Sequence, residues 1–166
     1  MASPRFALAF GDLDHEFAQT RRMLERVPQE HLDFSPHPKS WPLKNLARHL
    51  CDFPEWALVT LQTTELNFDA PMPPKQLPAD ATGYVTLWDA GVAALNAYLP
   101  QVTDADLEVE WRAVAGGHAV IRGSRAEIVR GMVINHMIHH RAQLSIYYRL
   151  VGVALPGMYG PTADER

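Results

Sequence analysis

Two histidines four residues apart lie inside the longest helical pattern of this chain, and that pattern restricts what the rest can fold into. Ser124 and Glu127 form a capping-box signature, an apolar run follows to Val151, and Gly152 supplies a stop. The inward stripe reads Val129, Val133, His136, His140, Gln143 and Tyr147, in steps of 4, 3, 4, 3 and 4. A long helix with one buried stripe needs other helices to pack on, so an all-α bundle is the expectation.

The remaining sequence supplies such helices. Phe6, Leu13, Phe17 and Leu24 recur at helical spacing, giving a first helix over residues 6–27 that ends before Pro28. The loop over 33–42, with Pro36, Pro38 and Pro42, delivers Ser40 as N-cap of a second helix with Pro42 in its first turn. Leu46, His49, Phe53, Trp56 and Thr60 share one face of it, so His49 points inward. Pro54 removes a backbone hydrogen bond and crowds the Leu50 carbonyl, which predicts a kink one turn after His49. Residues 67–80, with Pro71, Pro73, Pro74 and Pro78, cannot propagate a helix and read as a long surface crossover. A third helix follows over 81–99, burying Tyr84, Leu87, Trp88, Ala94, Leu95 and Tyr98, with Pro100 to stop it. Residues 107–122, around Gly116 and Gly117, suggest a small hairpin or irregular excursion. The Gly- and Pro-rich tail should be irregular, with Met158 and Tyr159 packed across a bundle end.

Composition sets the class. At 166 residues the chain fits a single domain, 1–166, able to fold without disulfides. With 47% apolar and 20% charged residues it should be globular. A net charge of −4 and no Lys/Arg cluster argue against nucleic-acid binding, because phosphate contacts need a basic face. Cys51 is the one cysteine, which excludes an intramolecular disulfide and fits a reducing compartment. The opening MASPRFALAF lacks the long apolar core of a signal peptide, and no window reaches the roughly 18 apolar residues of a membrane span. A cytoplasmic protein with no membrane partner is expected.

His136 and His140 project from one helix face, and His49 faces inward from another helix. An unpartnered polar group in a bundle core costs on the order of 1–3 kcal/mol, so three inward imidazoles need partners, and one metal ion satisfies a nitrogen of each. Three neutral ligands leave the ion its full charge and an open fourth position, which makes bound water or thiol more acidic. The same histidines can instead be ordinary core groups bonded to carbonyls or carboxylates. His139, three residues after His136, can replace His140 as second ligand, although the four-residue pair fits the stripe better. Arg141 and Gln143 can bind a ligand or support the histidines. Asp52, one turn after His49, can orient an imidazole or accept a proton, but reads better as a surface carboxylate; Cys51 reads as a small packing group, and His15, His31, His37 and His118 as exposed. The chain has no E-x-x-H pair, H-E-x-x-H, G-x-S-x-G or P-loop.

An inward histidine in the second helix near ARHL, followed late in the fourth by NHMIHHRAQL and a Gly/Pro-rich tail, resembles the DinB-like superfamily across nearly the whole chain. The resemblance implies a four-helix bundle with a long crossover between helices 2 and 3, usually dimeric, with metal on matching histidines, here His49, His136 and His140. Members include enzymes that activate low-molecular-weight thiols on the metal, alongside many with no assigned reaction. It therefore implies a divalent ion (Zn, Ni, Fe or Mn), a small-molecule substrate, and S-transfer or hydrolysis through a metal-bound thiol or water. The alternatives are a non-catalytic metal or small-ligand binding bundle, tied to stress, and a helical dimerisation scaffold. Imidazole suits several of these metals and does not choose among them.

Overall fold

The computed structural model describes residues 3–71 and 74–165, so Met72 and Pro73 of the crossover lie outside the described residues. Four helical runs pack around one core. The first comprises α1 (Pro4–Phe10) and α2 (Leu13–Leu24), and the second α3 (Leu43–Leu50) and α4 (Phe53–Gln62). The third is α5 (Ala81–Tyr98), and the fourth is α7 (Arg125–Ile128), a π-helical stretch (Val129–Asn135) and α8 (His136–Leu150). A short α6 (Asp104–Glu108) lies between the third and fourth runs. α2 packs on α5 and α8, α4 on α5 and the π stretch, and α3 on α8. The first and second runs therefore each lie between the third and fourth, and the crossover joins two neighbours. Leu24, Leu43, Leu50, Phe53, Trp88, Val129, Met137 and Tyr148 are fully buried between them.

Several helix boundaries differ from expectation. The first run breaks at Gly11 and Asp12, where Asp12 leaves helical geometry at φ −113°, ψ 7° and its carboxylate pairs with Arg130 at 2.6 Å. Ser40 does not cap the second run. Pro42 stands at the cap position, and the carbonyls of Phe34 and Leu32 accept from the Leu43 and Lys44 N–H groups at 2.8 and 2.9 Å. The preceding loop thus satisfies two of the free donors of a helix start. The kink assigned to Pro54 falls at Cys51 and Asp52, both with helical dihedrals, and Pro54 sits in the first turn of α4 where its missing N–H does no harm. In α5, Tyr84, Trp88 and Leu95 are buried as expected, whereas Leu87 and Ala94 face outward. Gly152, at φ +76°, ends the last run in a Schellman motif, with Val153 N–H bonded to the Tyr148 carbonyl at 2.9 Å.

The all-α expectation is corrected by a three-stranded sheet. β2 (Glu110–Ala115) and β3 (His118–Ser124) form a hairpin, and β1 (Glu65–Asn67) joins β2 in parallel, with Leu66 opposite Ala113. The hairpin turn places Gly116 and Gly117 at φ +57° and +75°, which fits a type I′ turn and requires glycine-like freedom at both positions. Trp111, Ala113 and Ile128 form a small second core under the sheet. Arg125, itself buried, donates to the Thr63 carbonyl at 3.1 and 2.8 Å, so the sheet ties the end of α4 to the start of the last run. Among the described residues, no helix is long and apolar enough to cross a membrane.

Candidate metal centre

The helix registers bring His49, His136 and His140 to one point. One ring nitrogen of each lies within 4.8 Å of one from both others. The His49 ring centroid stands 4.6 Å from that of His140 and 5.4 Å from that of His136. The rings are half-buried rather than central. Val129, Val133 and Tyr147 of the expected stripe are buried, but between them the core stripe of α8 runs Met137, Arg141, Leu144 and Tyr148, one residue later, and the histidines flank it. The π stretch immediately before His136 accounts for the offset, because an i→i+5 turn re-phases everything that follows.

Hydrogen bonds orient the two rings of α8. His140 Nδ1 lies 2.7 Å from Gln143 Oε1, an acceptor, so Nδ1 carries the proton and Nε2 presents a lone pair. His140 Nε2 is 2.7 Å from His136 Nε2. His136 Nδ1 is buried and makes no hydrogen bond of normal geometry, although the Met132 carbonyl one turn back favours its protonated form. A proton on Nδ1 leaves two lone pairs facing each other at Nε2, and a proton on Nε2 leaves a bare lone pair buried at Nδ1. A cation shared by the two Nε2 atoms resolves the conflict, so this donor set fits a metal ion.

Electrostatics point the same way. Burial, then the charge of His49, lowers the His136 pKa, and burial pushes His140 down to about 4 against the hydrogen bond its Nδ1 donates to Gln143. Both are neutral near pH 7, the state that ligates metal. On the His49 side Asp52 is 2% exposed, which corrects its reading as a surface group. The break at residues 51–52 turns it under the crossover, where one oxygen pairs with Arg48 and the other with Lys75 at 2.5 Å and lies 3.9 Å from His49 Nδ1. Burial alone would raise its pKa, but contact with His49 and Lys75 and the Arg48 charge outweigh this and hold it below the ordinary value.

The other singled-out residues divide clearly. Gln143 supports His140 through Oε1 and meets exposed His139 through Nε2 at 3.0 Å, so His139 stands outside the three-histidine set. Arg141 is not brought to the histidines. Its guanidinium is buried against Glu16 Oε2 at 2.5 Å, the Glu16 carbonyl at 2.8 Å and the Tyr159 hydroxyl at 2.7 Å, which ties α8 to α2 and the tail and corrects its reading as a ligand-binding group. Cys51 is buried, bonded to the Ala47 and Tyr84 carbonyls, and burial raises its thiol to about 12. His15, His37 and His118 are exposed, whereas His31 is half-buried.

Sequence reasoning missed the walls of the site. Trp41, half-exposed, stacks toward His140 with ring centroids 6.1 Å apart and stands edge-on to His49 at 5.3 Å. Its carbonyl accepts from the Tyr147 hydroxyl at 2.9 Å, which holds the loop against α8. Trp41 separates a cleft of about 270 Å³ that reaches His49 from one of about 440 Å³ that reaches His140. No periodic signal marks Trp41, which lies in a loop. Asp52 had a legible partner in Arg48, one helical turn earlier.

The DinB family profile matches residues 10–166. Uncharacterized protein YrdA of Bacillus subtilis (strain 168) is 28% identical over 166 residues, covering 94% of this chain and 93% of that one. A DinB-like protein of Bacillus cereus ATCC 10987 superposes with a TM-score of 0.68 at 23% identity, covering 90% of this chain and 95% of the other. YfiT of Bacillus subtilis, described as a probable metal-dependent hydrolase with an unusual four-helix bundle topology, gives 0.65 at 18% identity, covering 93% and 92%. The helical fold thus resembles DinB-like four-helix bundle proteins, with a small sheet added. The chain belongs to the DinB family.

Proposed function

We propose that this chain is a metal-dependent enzyme in which His49, His136 and His140 hold one divalent ion and a small molecule reacts in the clefts beside Trp41. The observation that carries this reading is the pair of Nε2 atoms 2.7 Å apart with a buried, unsatisfied Nδ1 behind one of them. When bound, such an ion acts as a Lewis acid that makes a coordinated water or low-molecular-weight thiol more acidic. The chain's own residues do the rest. Gln143 fixes the His140 tautomer, Asp52 faces His49 Nδ1, and Trp41 and Phe53 shield the rings from bulk water. Open clefts on both sides favour an exchangeable position over a purely structural ion. The description of YfiT as a probable metal-dependent hydrolase supports water as the nucleophile, and the superfamily's thiol-dependent members support S-transfer.

The test is turnover by metal-loaded protein on a panel of esters and amides, and of thiols paired with electrophiles. Metal-dependent turnover that falls at least about a hundredfold in His140→Ala is expected. Stoichiometric metal with no turnover on any pair would contradict catalysis and leave a metal-binding bundle.

A further inference from the structure

The cleft on the His49 side carries an unbalanced charge. It is lined by Trp41, Asn45, Arg48, His49, Asp52, Lys75 and Leu77. Arg48 and Lys75 share the single carboxylate of Asp52, one on each oxygen, so two full positive charges face one negative charge. Asp52 is spent on this arrangement because both of its oxygens are engaged and it is almost fully buried. Arg48 also donates from Nε to the Gln76 carbonyl at 3.3 Å, and its Nη2 makes no hydrogen bond to a described residue. Lys75 has only one partner among the described residues, its side chain is 39% exposed, and an ammonium offers three donors. Trp41 and Leu77 form apolar walls, which strengthen the field of the surplus charge inside the cleft.

We infer that this cleft holds the carboxylate of a small substrate or thiol on Lys75 and Arg48 while the reacting atom sits at the three histidines. The inference rests on the proposed metal site and adds the chemical class of what binds there. About 270 Å³ suits a short anionic arm rather than a whole drug-sized molecule. The cleft beyond Trp41, lined by Leu46, Ile146 and Tyr147, leaves room for a more apolar portion. Lys75 is therefore a specificity-determining residue, contributed by the proline-rich crossover.

The probes are mercaptopropionate and mercaptopropanol, two thiols of similar length that differ in a carboxylate and a hydroxyl. Each is titrated into cobalt-loaded protein, with binding read from the thiolate-to-cobalt absorption band. Wild-type protein is expected to bind the carboxylate about tenfold more tightly than the alcohol, with the preference shrinking as salt rises. Lys75→Glu is expected to abolish or reverse that ratio, and Lys75→Gln to reduce it with circular dichroism unchanged. A ratio near one in wild type, or one unaltered by both substitutions, would overturn the inference. Failure of cobalt to bind at all would instead overturn the metal site, so the two outcomes are distinct. Both residues are partners of the buried Asp52, but Arg48 is the more buried of the two, at 15% side-chain exposure against 39% for Lys75, so Lys75 is the one varied, and Lys75→Gln keeps an N–H donor for that carboxylate.

Discussion

Gln143 selects which nitrogen of His140 is free, although it touches none of the other ligands. Its Oε1 accepts the Nδ1 proton, so Gln143→Leu leaves the ring able to rotate or change tautomer. The expected result is a loss of metal affinity of about tenfold to a hundredfold, read by competition with a chromophoric chelator, with little change in folding stability. The same ring gives a pH signature. Burial lowers the His140 pKa from 6.5 to about 4 in the folded chain, so between those values the unfolded chain binds more protons. The stability tied to this residue is present above about pH 6.5 and lost as pH falls toward 4; His136 shifts in the same direction. Urea midpoints of metal-free protein at pH 7 and pH 4.5 should differ more for wild type than for His140→Gln. Spacing alone brought His136, His140 and His49 into view. The burial of Asp52 was not legible, because it depends on a helix break and on Lys75, distant in sequence.

At the scale of elements, the π stretch has the largest effect on the site, since it moves the histidines from the centre of the α8 stripe to its edge. The sequence hid it because the apolar pattern runs through 129–135 without a proline. Gly131 lies in that stretch, and a Cβ added there meets nothing within 4 Å. Gly131→Ala should therefore raise stability by about 0.5–1 kcal/mol in thermal or chemical denaturation, by reducing unfolded-state entropy. The tie between α2, α8 and the tail behaves oppositely. Glu16 and Arg141 form a buried pair, and the Tyr159 hydroxyl donates to Glu16 Oε1 at 2.8 Å. Arg141→Met alone should cost about 3–5 kcal/mol, because it strands a buried carboxylate, and Arg141→Met with Glu16→Leu should cost less than the two single changes summed. A double-mutant cycle in urea measures this directly.

At the scale of the molecule, the order of helical runs and the long crossover were legible because prolines and amphipathic faces are local signals. The sheet was only half legible. Gly116 and Gly117 announced the hairpin, but β1 is three residues of weak strand propensity that pair in parallel with a segment far along the chain. The tail is also held by nonlocal contacts. Arg22 and Arg26 both pair with Glu165 at 3.0 Å, Met158 packs on the core, and Tyr159 keeps its ring exposed while its hydroxyl reaches Glu16. A metal that joins the second and fourth runs should stabilise the whole unit. At free metal near a hundred times Kd, the melting temperature should rise by about 5–10 °C over chelator-treated protein. The most direct measurement is elemental analysis of untagged protein beside a His136→Ala, His140→Ala double variant. The account predicts close to one divalent ion per wild-type chain and almost none in the variant. Metal absent from both after reloading, or retained equally by both, would contradict it.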